Sequence, residues 1–353
     1  VDLLTTTIAR IAPLDAPAMQ SARARQDALT KPQGALGRLE TLSIQIAGIT
    51  GSPRPRLLRP AVVVMAGDHG VAARGVSAYP AEVTPQMVLN FLAGGAAINV
   101  LARHVGARVV VVDMGVAAEL PPHPSLLARK VAPGTRDLSA EPAMSPVQAR
   151  QAVEAGIGVA DEVIAAGADV IATGDMGIGN TTASSAIVAA LAGLGAAEVT
   201  GRGTGVDDAA LARKIALIDG ALALHRPDPA DGLDVLAKVG GFELGGLAGL
   251  IVGAAARRTP VVVDGFISGA AALLACALAP AARPYLIAGH RSVERGHAAV
   301  FRALDVEPLV DLGLRLGEGT GAALALSLCQ AACKILDEMA TFGEAGVSAK
   351  DAG

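Results

Sequence analysis

The sequence predicts an open, doubly wound, mostly parallel α/β sheet joined by a smaller helical subdomain. Five short β-branched runs carry that expectation, because each ends in a loop holding Gly or Asp. Residues 61–65 precede Gly67-Asp68-His69-Gly70, residues 109–112 precede Asp113-Met114-Gly115, and residues 170–172 precede Thr173-Gly174-Asp175-Met176-Gly177. Residues 261–263 lead into Asp264-Gly265, and residues 285–287 into Ala288-Gly289-His290-Arg291-Ser292. Unbroken apolar strands are buried on both faces, as in a parallel sheet covered by helices. The stretches between them are long enough for crossover helices, Ser145 to Ala166 being an example. Ligands of such sheets bind beyond the carboxyl ends of the strands, where these loops lie.

Residues 55–315 form the expected large α/β domain. Residues 1–54 and 316–353 have no comparable strand and are expected to pack together as the helical subdomain. Pro53 to Pro60 reads as a connection into the first strand, and residues 343–353 as a frayed end.

Composition removes several function classes. Hydrophobic residues make up 52% of the 353, but no apolar run of about 18 lacks a Gly, Pro or charge, so no membrane partner is expected. The opening Val1-Asp2-Leu3-Leu4 has no basic stretch before an apolar core, which argues against a signal peptide. Three cysteines (Cys276, Cys329 and Cys333) suit a reducing cytoplasm without a disulfide framework. A net charge of −4 with no basic block, no Trp, two Tyr and five Phe argues against nucleic acid.

Arg315-Leu316-Gly317-Glu318-Gly319-Thr320-Gly321 sets one carboxylate between glycines at the expected start of an apolar helix. A helix N-terminus stabilises a carboxylate while apolar surroundings raise its proton affinity, so Glu318 is a candidate general base. A first-turn Glu that merely suits the helix dipole has the same local pattern.

Thr173 to Thr182 follows a strand and precedes a helical segment, so the N–H groups of Gly177 and Gly179 can cradle an anion. Gly201-Arg202-Gly203-Thr204-Gly205, with Lys214 on the next helix, can grip a phosphate or be a plain surface loop. Asp68, His69 and His290 invite a metal. Yet a zinc site needs three or four ligands, and Cys329 and Cys333 sit four apart on an apolar helix without further ligands nearby, so neither metal nor cofactor is expected.

Six ordered motifs carry a resemblance over nearly the whole chain. They are Lys31 to Glu40, Gly67 to Val71, Gly174 to Thr182, Lys238-Val239-Gly240-Gly241-Phe242-Glu243, Asp264-Gly265-Phe266 and Arg315 to Ala325. Together they resemble the nicotinate-nucleotide–dimethylbenzimidazole phosphoribosyltransferase family, a Rossmann-like fold of cobalamin lower-ligand synthesis. The resemblance implies nicotinate mononucleotide and 5,6-dimethylbenzimidazole as substrates, Glu318 as base, inversion at the anomeric carbon, and a homodimer. It also implies an acceptor pocket of Tyr79, Val83, Met87 and Leu316, a phosphate on Gly177, Gly203, Lys214 and Ser292, and Asp264 near the ribose or nicotinate. Asp175 stands where the family commonly has Glu, so its part as a second catalytic carboxylate stays open. Gln33, where the family often has Pro, reads as a turn variant. The competing readings are a nucleotide N-glycohydrolase, transfer to another azole or purine, and a non-catalytic nucleotide sensor.

Overall fold

The computed structural model describes residues 2–348. Six parallel strands form one sheet: β1 (Pro60–Gly67), β2 (Arg108–Gly115), β3 (Leu126–Ala128), β4 (Val170–Met176), β5 (Val261–Val263) and β6 (Leu286–Ala288). Their spatial order is β3-β2-β1-β4-β5-β6, so the chain winds outward in both directions from the β1/β4 boundary. A separate parallel pair, β7 (His290–Ser292) and β8 (Val310–Leu314), lies beyond β6 in sequence. The five expected strands are present. The three that sequence reading missed are short or exposed, so no buried run announced them.

Every residue of β1 is buried, and its side chains alternate between two cores. Val63 and Met65 face helices Pro146–Ala165, Asn180–Ala192, Phe242–Ala256 and Phe266–Leu278, whereas Val62 and Val64 face helices Arg38–Thr50, Val83–Ala93, Ala97–His104 and Thr320–Glu338. Gly explains how close the first layer packs. A Cβ on Gly156 would stand 1.9 Å from the Gly246 carbonyl oxygen, and one on Gly249 1.9 Å from that of Val153. Helices Pro146–Ala165 and Phe242–Ala256 therefore touch backbone to backbone.

Residues 83–104 are apolar enough in composition to suggest a membrane span, but a break at Gly94 to Ala96 divides them into helices of 11 and 8 residues. About 20 residues are needed to cross a bilayer, so neither helix is long enough.

The terminal segments meet along Thr320–Glu338. Its C-terminal end receives hydrogen bonds from Arg25, whose Nε donates to the Leu336 carbonyl at 2.6 Å. Ala22, Ile44, Ala47 and Leu336 form a small core there. The N-terminal half of the same helix lies on the sheet, with Ala322, Ala323 and Leu326 packed beside Val62 and Val64. One helix thus serves both layers. Where a frayed end is expected, Phe342–Ala345 is a helical turn capped by Thr341; residues 349–353 of that expectation lie outside the described residues.

Candidate active site

The sheet order opens a crevice at the carboxyl ends of β1 and β4, the usual ligand position in such folds. The loop from Gly317 to Gly319 lies across it. Gly317, Glu318 and Gly319 all have positive φ, at 81°, 62° and 91°, and the helix proper begins only at Thr320. Glu318 therefore stands before the N-cap rather than in the first turn, so the plain helix-dipole reading does not describe it. A left-handed conformation costs a non-glycine residue about 1–2 kcal/mol.

Two contacts hold that conformation. Gly174 on β4 has no Cβ, and one placed there would stand 2.5 Å from the Glu318 carbonyl oxygen, so the loop rests on the strand. Asp264, just after β5, accepts from the N–H of Gly319 at 3.1 Å and from that of Ala322 at 2.8 Å. Each Asp264 oxygen thus accepts from one backbone amide of the helix start. The orphan amides at the helix start take the carboxylate, and Asp264 so supports the Glu318 loop. His290 lies on its far side, with Nε2 3.6 Å from Asp264 Oδ1.

Glu318 is buried, and its Oε2 has no hydrogen-bond partner. Burial raises its pKa, the N–H of Ile98 lowers it, and the Asp264 charge adds to the rise, leaving it above the ordinary range. Asp175, at the end of β4, is more strongly affected. Burial and then the Asp264, Glu243 and Glu318 carboxylates raise its pKa well above normal, against one hydrogen bond from Asn180 Nδ2 at 3.0 Å. Its Oδ2 lies 3.2 Å from where a Gly317 Cβ would stand, so Asp175 and the Glu318 loop meet directly.

Cations gather at the other end of the crevice. Lys214 is fully buried on helix Asp208–His225 and donates to Thr181 Oγ1 at 2.7 Å. Burial pulls its pKa down to about 8, with Glu294 acting in the opposite direction. Gly203 has φ 53°, and a Cβ there would be 3.3 Å from Lys214 Nζ. Arg315 Nη1 donates to the Gly203 carbonyl at 3.2 Å. Ser292 is buried, and its Oγ accepts from the Glu294 N–H at 3.3 Å. Gly177 is needed for close packing, since a Cβ there would stand 2.3 Å from the Gly67 carbonyl oxygen.

The expected acceptor residues are less enclosed. Tyr79 and Leu316 are 56% and 58% exposed, while Val83 and Met87 lie half-buried one turn apart on helix Val83–Ala93. The four therefore do not close an apolar slot in this structure. Sequence reading assigned no role to Glu294 or Glu243, took Thr181 only as a polar group of the turn after β4, and set His69 aside as a metal ligand. His69 and Glu243 stand inside quoted motifs, and their pairing over 174 residues has no local signal.

A phosphoribosyltransferase family model matches residues 11–347. The nicotinate-nucleotide–dimethylbenzimidazole phosphoribosyltransferase of Roseiflexus sp. (strain RS-1) is 76% identical over 350 residues, covering 99% of each chain. The chain belongs to the nicotinate-nucleotide–dimethylbenzimidazole phosphoribosyltransferase family. It is accordingly a pentosyl-transferring enzyme. The relative of the same name from Geobacter metallireducens is 56% identical over 345 residues, covering 98% of each chain. A crystal structure of CobT from Thermus thermophilus superposes with a TM-score of 0.92 at 52% identity, covering 95% of this chain and 100% of that one.

Burial raises the folded pKa of Glu318 above its unfolded value, so its ionisation weakens the fold as pH rises through the carboxylate range toward neutrality. Left-handed strain acts in the same direction. Glu318→Gly should abolish turnover and still raise the melting temperature by roughly 1–3 °C at neutral pH; a lower melting temperature would show the loop is unstrained. For Lys214, the cation is present below about pH 8 and lost above it. The KM for a phosphorylated nucleotide should rise through that pH in wild type and stay flat in Lys214→Met.

Proposed function

We propose that this site transfers the 5-phosphoribosyl group of nicotinate mononucleotide to 5,6-dimethylbenzimidazole, giving α-ribazole 5′-phosphate and nicotinate. The observation that carries the reading is the buried, half-unpartnered Glu318 beside Asp175, with Lys214 and Gly203 at the far end of the same crevice. A pyridinium on the anomeric carbon is already cationic. When its C–N bond breaks, the electron pair returns to the ring and nicotinate leaves without a general acid. The unprotonated azole nitrogen attacks the opposite face with its lone pair, inverting the β-nucleotide to an α-product, and the proton on the ring's other nitrogen passes to Glu318. One base suffices, and a raised proton affinity suits it to take a proton at neutral pH.

Asp175 faces the same space with Oδ1 unpartnered, and in its ionised form it stabilises positive charge developing on the ribose. Its side chain is one methylene shorter than the Glu common in the family. The main chain at Gly203, with Lys214, Arg315 and Ser292, receives the 5′-phosphate. Tyr79, Val83, Met87 and Leu316 close on the methylated ring when it binds, turning an open surface into an apolar slot. The relatives are named for the same two substrates, which supports the reading. We also propose a homodimer in a reducing cytoplasm, in keeping with three free cysteines.

Chromatography of products from nicotinate mononucleotide, with and without 5,6-dimethylbenzimidazole, tests the reading. The expected result is nicotinate release only with acceptor, matched mole for mole by α-ribazole 5′-phosphate and lost in Glu318→Gln. Equal release without acceptor would convert the assignment to a glycohydrolase.

A further inference from the structure

Two quoted motifs take no direct part in the transfer, and the structure joins them. His69, two residues past the end of β1, places Nε2 2.7 Å from Oε1 of Glu243, the second residue of helix Phe242–Ala256. Both side chains are wholly inaccessible to solvent. Four glycines wall the pair. A Cβ on Gly241 would stand 2.4 Å from His69 Cε1, and one on Gly67 2.8 Å from Glu243 Oε2. Cβ atoms on Gly177 and Gly179 would lie 3.5 Å from His69 Cδ2 and 3.3 Å from its Cβ. The imidazole therefore underlies the turn that follows Asp175. The strand register puts Asp175 opposite Met65, two residues from Gly67, so the Glu243 carboxylate and Asp175 share one end of the β1/β4 seam.

We propose that His69 and Glu243 form a buried, mutually neutralising ion pair that positions Asp175 and the 177–179 turn for the nucleotide. An isolated carboxylate this deep is costly, and an isolated imidazolium equally so. Paired, they present a net charge near zero behind a residue already crowded by anions. Asp175 is faced by Asp264 from the loop after β5, Glu318 from the loop before the last helix, and Glu243 from helix Phe242–Ala256, with Asn180 as a neutral donor. His69 is faced by Glu243 and Asp68, and His290 lies beyond Asp264. Burial alone would deprotonate His69; the Glu243 charge and hydrogen bond outweigh it, leaving its pKa raised. Imidazolium at His69 cancels much of the Glu243 field at Asp175, so Asp175 can still ionise when the nucleotide cation arrives.

The inference deepens the transferase reading by assigning what supports Asp175, and its test requires no turnover. In wild-type protein carrying ¹⁵N-histidine, the ring coupled to Glu243 should have both nitrogens protonated at pH 7, and a neutral ring overturns the ion pair. In difference infrared titration, the protonated carboxyl band that Asp175→Asn removes should titrate about one pH unit higher in His69→Gln, whose amide can still donate to Glu243 but carries no charge to cancel its field. An unmoved midpoint in folded His69→Gln overturns the positioning role; if that variant does not fold, the ring state in wild type decides. A protein unable to transfer phosphoribose would leave both readouts valid, and failure of both would leave the transferase assignment untouched.

Discussion

The site depends on the carboxylate that anchors its loop. Asp264 takes the amides of Gly319 and Ala322, fixing the start of the last helix against the end of β5. That anchor, with Gly174 beneath it, holds Glu318 in a left-handed conformation it would not otherwise adopt. A hydrogen bond to a charged group contributes about 1.5–3 kcal/mol, so two of them exceed the roughly 1–2 kcal/mol of left-handed strain. Glu318 is therefore placed by the backbone, and its side chain is left with a buried, unpartnered oxygen.

Charge organises the rest. Asp175, Glu243, Asp264 and Glu318 approach one another in a buried region, where burial and the neighbouring carboxylates raise the proton affinity of Asp175, and burial and Asp264 that of Glu318. The fold offsets this with His69 on Glu243, His290 beside Asp264, and backbone amides at helix starts. Lys214 and Arg315 gather about Thr181 and Gly203. An anionic end and a cationic end match a ligand with a developing cation at one terminus and a phosphate at the other.

Much of this was legible in the sequence because it is local. The apolar runs of β1, β2, β4, β5 and β6 mark a doubly buried sheet, and glycines on both sides single out Glu318. Lys214 stands out as a cation following a glycine-rich loop. What stayed hidden depends on distance along the chain or on solvent exposure. Asp264 reaches amides 55 and 58 residues away, a contact that no local pattern announces. The His69–Glu243 pair spans 174 residues. β3 is three residues long, and β8 is largely exposed, so neither carries a buried periodicity. Tyr79 and Leu316 project into solvent, where hydrophobicity alone says nothing about enclosure.

The most direct measurement is a crystal structure of Glu318→Gln bound to nicotinate mononucleotide and 5,6-dimethylbenzimidazole. The account predicts one benzimidazole nitrogen aligned on the anomeric carbon and the other within about 2.6–3.2 Å of the residue 318 side chain, with the phosphate on Gly203 and Lys214. A benzimidazole whose second nitrogen faces solvent, or pairs with Asp175 instead, would contradict it.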